Sequence, residues 1–216
     1  MMWMMLWSVA FAGQPRYDLL ASPDGWKDVA VRHSDQGDVA VYTKTIDGLP
    51  CLMGVTSVSV PADKLLAVAF DIPSSKRWSS AGLAISETLA HLPDGGIDYF
   101  QYIDIPGWTM VYDRYWIMEG HTTSLGDARR FRWNRIDAAT RYPAAVARAQ
   151  AIESGAVEPP VSWGEWLFTP KNGLTEISYR NCVDVGGRLP MSIQTWVATR
   201  TMPDTVADLI REAKKH

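Results

Sequence analysis

The 216-residue chain predicts a single α+β domain built on an antiparallel sheet. Three observations carry that prediction. Short β-rich runs follow one another across Gly- and Pro-containing turns, which favours antiparallel neighbours over βαβ crossovers. Near the end, Val206, Leu209, Ile210 and Ala213 repeat at i, i+3, i+4, i+7, the stripe of an amphipathic helix that needs a sheet face to cover it. Ten tryptophans, eight tyrosines and five phenylalanines in a chain that is 47% hydrophobic call for a large apolar interior, a binding cavity, or both. Charged residues at 21% and a net charge of −3 exclude a mostly disordered chain and a nucleic-acid binder working by bulk positive charge.

The first twelve residues, MMWMMLWSVAFA, are uncharged and too short to span a bilayer. They end in Ala10-Phe11-Ala12, a small-x-small pattern suited to a signal peptidase, and polar Gly13-Gln14 follows. Export to the periplasm or medium is the reading taken. A buried N-terminal segment and a start site assigned too late are the alternatives, since no Lys or Arg precedes the apolar run, and they leave the chain cytoplasmic. No later stretch reaches 18 uncharged apolar residues.

Ser22-Pro23-Asp24-Gly25-Trp26 reads as a helix start with proline in the first turn, the helix running through Val29 and Ala30 to Gly37. Residues 38–47 alternate as a strand, Asp47-Gly48 is a turn, and 51–60 form a second strand, giving a hairpin. Pro61 opens a helix carrying Leu65, Leu66, Ala69 and Phe70, which Pro73 ends, and Ser74–Trp78 is a turn or short helix. Residues 83–92 are ambiguous between helix and strand. Strands follow at 97–105, 108–119 and 129–136, then an Ala-rich helix over 138–153 interrupted near Pro143. Strands resume at 162–169, 174–183 and 189–200, and a terminal helix starts at Asp204 as its cap. Cys51 and Cys182 are too few for a disulfide scaffold and lack zinc spacing; they pair only if the fold brings them together.

Four stretches carry a family resemblance. Asp38–Lys44 (DVAVYTK) looks like a first strand of the "vkvy-r" type, and Ser75-Lys76-Arg77-Trp78 resembles an "R-x-x-W-D" region with Ser79 in place of the acid. Pro106–Ile117 resembles "P-x-x-x-R-D-f-v", with Arg114 as the arginine and Tyr115 where the acid is expected. Tyr179–Pro190 resembles "Y-x-x-x-x-D-p-G-G-x-i-P", with Asp184, Gly186, Gly187 and Pro190 in place. Over residues 20–215 the chain thus resembles START domains, the lipid-transfer domains of the birch-pollen-allergen-like superfamily. The resemblance implies a helix-grip fold: a curved antiparallel sheet wrapped around a long C-terminal helix with an internal hydrophobic tunnel. It implies a hydrophobic ligand (a lipid or sterol), transient contact with membranes, no cofactor and no nucleic acid. Residues 13–216 then form one domain, and 137–160 exceed the loop usual there and read as a helical insertion.

Period-two alternation over 108–119 puts Trp108, Met110, Tyr112, Arg114, Trp116 and Met118 on one face. A guanidinium among such neighbours must meet a carboxylate, water or a polar ligand group, because an unpaired buried charge is very costly. Those six residues, with Tyr99 and Tyr179, are the candidate ligand-binding set, and Met110, Met118 and Met191 could give an adaptable lining. Tyr99, Gln101 and Ile103 share a face, whereas Trp163 and Trp166 cannot, their separation being odd. Asp184-Val185-Gly186-Gly187 reads as a structural turn. The four histidines are scattered, and no metal, nucleophile-elbow or phosphate-loop motif is present. A ligand carrier or sensor is the first reading. An enzyme acting on an aromatic or polyketide-like ligand, with Arg114, Tyr99 and Asp184 as its best candidates, is the second, and an interaction module with a filled interior is the third.

Overall fold

The computed structural model describes residues 15–107, 111–186 and 190–215. Among them a nine-stranded sheet and six helices follow the order α1 (Tyr17–Ala21), β1 (Lys27–Ser34), β2 (Gly37–Ile46), β3 (Leu49–Val58), α2 (Ala62–Phe70), α3 (Ile72–Trp78), β4 (Leu83–His91), β5 (Ile97–Ile103), β6 (Arg114–Leu125), β7 (Ala128–Arg135), α4 (Ala138–Arg141), α5 (Pro143–Ile152), β8 (Val161–Lys171), β9 (Leu174–Asp184) and α6 (Met191–Ala213). The sheet order is β1-β2-β3-β9-β8-β7-β6-β5-β4, and every neighbouring pair is antiparallel. The chain leaves β3 for the far edge at β4, and α2 and α3 make that crossing. The β8–β9 hairpin then closes the gap between β7 and β3.

Three elements differ from the sequence expectation, one of them β6, expected over 108–119 and found at Arg114–Leu125. The helix expected over Trp26–Ala30 is strand β1, and the only helix nearby is α1, before Ser22. Gly25 takes φ +83°, a left-handed turn that proline at position 23 leads into instead of a helix, and Lys27–Ser34 then pairs with β2. The strand expected over 189–200 and the helix expected from Asp204 are one helix, α6, with Asp204 and Pro203 inside it. The alternating β-branched residues Ile193, Thr195, Val197, Thr199 and Thr201 also fit i, i+4 helical spacing. Thr199, Thr201 and Thr205 each donate their hydroxyl to the carbonyl four residues earlier, which suits a threonine-rich helix. Pro73 does not merely end α2: it lies in the first turn of α3, where its missing N–H is harmless. The ambiguous 83–92 stretch is β4, and the helix pair α4–α5 breaks at Tyr142-Pro143 as its proline predicts.

The concave face of the sheet holds the main core. Leu65 of α2, Phe168 of β8, Ile177 of β9 and Val206 and Leu209 of α6 are all fully buried there. The C-terminal half of α6 presses its 206/209/210/213 stripe on this face, as its periodicity predicts. The convex face carries two smaller cores. One lies under α1 and contains Leu20, Trp163 and the bonded pair Cys51–Cys182. These cysteines stand directly opposite in the β3–β9 register with Cα atoms 4.2 Å apart, so the sheet, not the sequence spacing, pairs them. The other lies under α4–α5 and contains Phe100, Tyr102, Tyr115 and Ile117 against Ala138, Ala145 and Ala149.

Candidate functional site

The hydrophobic run along the inner faces of β5–β9 builds one wall of a cavity of about 560 Å³, and α3, the 79–83 turn and α6 build the other. Tyr99, Arg114, Trp116, Met118 and Tyr179, five of the eight residues selected from the sequence, line it together. Trp108, Met110 and the side chain of Met191 lie outside the described residues. Tyr112 does not line it: β6 begins only at Arg114, so the period-two face does not extend back to 112, and the ring is 58% exposed, lying against Gly155.

The floor is aromatic. Trp166 stacks on Tyr179 with ring centroids 4.0 Å apart, Trp133 stacks on the same tyrosine at 5.8 Å, and Phe131 adjoins Trp133 at 5.8 Å. Gly164 makes this possible: a Cβ there would stand 2.5 Å from the Trp133 ring and 2.4 Å from the Arg180 carbonyl. Trp163, one face away, is on the convex side, as the odd spacing requires. Met118 fills the wall between Tyr99 and Ser162, each hydroxyl 3.7 Å from its sulfur. Burial pushes the Tyr99 and Tyr179 hydroxyls up from their ordinary pKa, so both stay neutral donors in mildly alkaline solution; Asn181, donating to Tyr179 Oη at 3.1 Å, offsets part of the effect at Tyr179.

Arg114 is 5% exposed, so its guanidinium needs partners. Its guanidinium donates to backbone carbonyls: Val185 at 2.8 Å, Asp113 at 3.2 Å, Gly186 at 3.4 Å, and Tyr112. It thereby ties the start of β6 to the loop that leads into α6. Burial lowers its pKa, and nearby Glu153 and Asp113 counter that shift. Beside it, Asp113 accepts from Tyr102 and from the Ile105 amide at 2.8 Å, and its own amide donates to Glu153 at 2.6 Å. Asp184 accepts from the Gly186 amide at 2.9 Å and from Gln194, and it is absent from the cavity wall; it holds the turn, as the structural reading of that motif requires.

Sequence reasoning passed over Trp133, Trp166, Asn181, Ser75 and the α6 residues Ile193 and Val197, all of which line the cavity. Ser75 and Asn181 belong to no pattern that singles them out, and Ile193 and Val197 fall in the 189–200 stretch that the sequence reads as a strand. Among the described lining residues only Arg114 and Asp204 carry charge. No group of three or more His, Cys, Asp or Glu side chains suited to a metal occurs among the described residues.

An antiparallel sheet gripping a long C-terminal helix over an apolar cavity defines the helix-grip class. More particularly, the chain has the START form of that fold. It is similar to human STARD10 (17% identity, TM-score 0.75, covering 93% of this chain and 77% of that one). It is similar to a STAR-related lipid transfer protein from Xanthomonas axonopodis (20% identity, TM-score 0.71, covering 88% and 99%). Human StAR-related lipid transfer protein 5 is a third (13% identity, TM-score 0.72, covering 92% and 91%). No protein-family model and no curated protein matches the chain.

Proposed function

We propose that this protein binds one hydrophobic molecule, a lipid or sterol, in the cavity and carries or senses it. The observation that carries this reading is a mostly apolar cavity of about 560 Å³ between the sheet and α6, within the size range of small-molecule sites. Neighbours of the same fold that are named lipid transfer proteins support lipid as the ligand class. The driving force is partition of apolar surface out of water. Entry runs past the first half of α6, where Ile193 and Val197 line the cavity and remain 47% and 44% exposed. Arg114 acts as the latch there, because its carbonyl bonds hold Val185 and Gly186 just ahead of that helix. Exposed Tyr112, Ile193, Trp196 and Val197 suit transient contact with a membrane surface during exchange.

The domain works after export, with residues 1–12 as the leader. The Cys51–Cys182 bond supports this, since such bonds persist in oxidising compartments. An N-terminal sequence beginning at Gly13 in the exported fraction is the expected result; an intact leader in the cytoplasm would reverse it.

Native mass spectrometry of protein purified from its own source tests the ligand. A co-purifying apolar molecule is expected. Repeated failure to find or load any apolar molecule would overturn the carrier reading.

A further inference from the structure

The segment that joins α5 to β8 reaches Arg114 from outside the cavity. α5 is seated on the convex face by Ala145 and Ala149, which pack with Phe100, Tyr102, Tyr115 and Ile117. It ends at Ile152, and Glu153 turns into extended backbone. From there Glu153 Oε2 accepts from the Asp113 amide at 2.6 Å. Val157 runs parallel to Arg114. Its amide donates to the Asp113 carbonyl at 2.9 Å, and its carbonyl accepts from the Tyr115 amide at 3.2 Å. Val157 and Pro160 also abut Gly186, where a Cβ would stand 3.3 Å from Val157 Cγ1 and 2.9 Å from Pro160 Cδ.

The peptide between Tyr112 and Asp113 connects this segment to Arg114. It is one rigid plane whose carbonyl and amide point in opposite directions. The carbonyl, on Tyr112, accepts from Arg114 Nη1, and the amide, on Asp113, donates to Glu153. The next peptide carries the Asp113 carbonyl, which accepts from the Val157 amide and, at 3.2 Å, from Arg114 Nη1. Both carbonyls that hold Nη1 are therefore oriented by residues 153–157. The other side of the guanidinium, Nε and Nη2, reaches Val185 and Gly186. The Val185 amide in turn donates to Gln194 of α6 at 3.0 Å. A chain of hydrogen bonds thus runs from the end of α5 through Arg114 to the first half of α6.

We propose that Glu153 is a positioning residue of the latch: it sets the Tyr112–Asp113 peptide, and through that peptide the segment 153–157 controls how fast ligand passes α6. This rests on the reading that an apolar ligand enters past α6 with Arg114 as the latch. A carboxylate suits the task, because its bond to a backbone amide is about twice as strong as that of a neutral acceptor. Its charge also steadies the Arg114 guanidinium. Glu153 does not line the cavity, so its bond to Asp113 bears on the passage and not on the bound ligand. Loosening it lowers the barrier to entry and to exit alike, and leaves their ratio in place.

The test follows Nile red entering and leaving the full protein by stopped flow, with equilibrium titration beside it. In Glu153→Ala both rates are expected to rise about tenfold while the dissociation constant stays within about twofold of the unaltered protein. Glu153→Gln keeps an oxygen for the Asp113 amide, and its rates are expected to stay within about threefold of the unaltered ones. Retained equilibrium binding reports a folded cavity in each variant. Unchanged rates in Glu153→Ala, a loss of affinity in place of faster exchange, or a glutamine variant as fast as the alanine one overturns the positioning role. Arg114→Met then separates the two readings: faster exchange in it leaves the latch standing, and unchanged exchange overturns the latch as well. Failure of Nile red to bind the unaltered protein overturns the carrier reading and the proposal together.

Discussion

The two faces of the sheet are built on opposite plans, although the same strands supply both. On β5 and β6, Tyr99 and Met118 turn inward to the cavity, while Phe100 and Ile117 turn outward. Inside, large rings and a methionine leave space unfilled. Outside, rings of similar size are capped by the alanines Ala138, Ala145 and Ala149 of α4–α5, with Ala138 and Ala149 fully buried. Two ion-pair clusters lie on the convex side. Glu165 is buried between Arg132 at 2.9 Å and Arg180 at 2.7 Å on the convex side, and Arg141 bridges Asp98 and Glu119, each at 2.8 Å. The concave wall instead offers hydroxyls, amides and an arginine bound to carbonyls. An empty cavity forgoes packing contacts. The convex side carries the disulfide and two smaller packed cores, so the sheet holds its curvature without filling its grip.

That division can be broken first at the disulfide. Replacing Cys51 and Cys182 with alanine removes a link across 131 residues and is expected to cost about 4–5 kcal/mol in urea unfolding. Ligand affinity measured below the lowered melting point should not change, since both residues lie under α1 and away from the cavity. A parallel loss of affinity would show the two faces to be coupled. Next, Phe100→Ala on the convex side should cost about 3–4 kcal/mol, whereas Met118→Ala, which borders open space, should cost about 2 kcal/mol. The reverse order would contradict the contrast.

Filling the cavity sharpens the same point. Ala198→Phe on α6 adds a ring where room already exists. Melting temperature should stay within the equivalent of about 1 kcal/mol, while affinity for an apolar ligand falls at least about tenfold. The smallest effect is electrostatic. The hydrogen bond from His121, then that from Arg141, holds the Glu119 carboxyl below its ordinary pKa. A folded pKa below the unfolded one means stability that is present above the ordinary glutamate range and lost as pH falls through the folded value. Denaturant unfolding of Glu119→Gln between about pH 6 and pH 3 should therefore show a shallower acid loss than the unaltered chain, by under about 1 kcal/mol. Ligand release with the same pH profile would again link the faces.

How much of this was legible differs by residue. Trp163 and Trp166 were separable by parity alone, and the structure puts one under α1 and the other on the cavity floor. Arg114, Trp116 and Met118 were likewise legible as one face, but that face stops where β6 starts, and Tyr112 falls outside it. The partners of Arg114 were not legible: Val185 lies 71 residues away, and it offers a carbonyl that every residue has. Gln101 was legible only as a residue sharing a face with Tyr99 and Ile103; α3 and β4 bring Ser75 and Ser86 to it.

By itself, the sequence determined which residues alternate on each strand, where most turns fall, and which stripe of the terminal helix is buried. Those properties follow from the 2.0 and 3.6 residue periods of the backbone and need only near neighbours. Tertiary structure alone decided that 191–203 is helix and that Lys27–Ser34 is strand. It also decided that Cys51 meets Cys182, and that the concave face stays hollow. Each of these depends on groups distant in sequence meeting in space, where packing against a partner outweighs local preference.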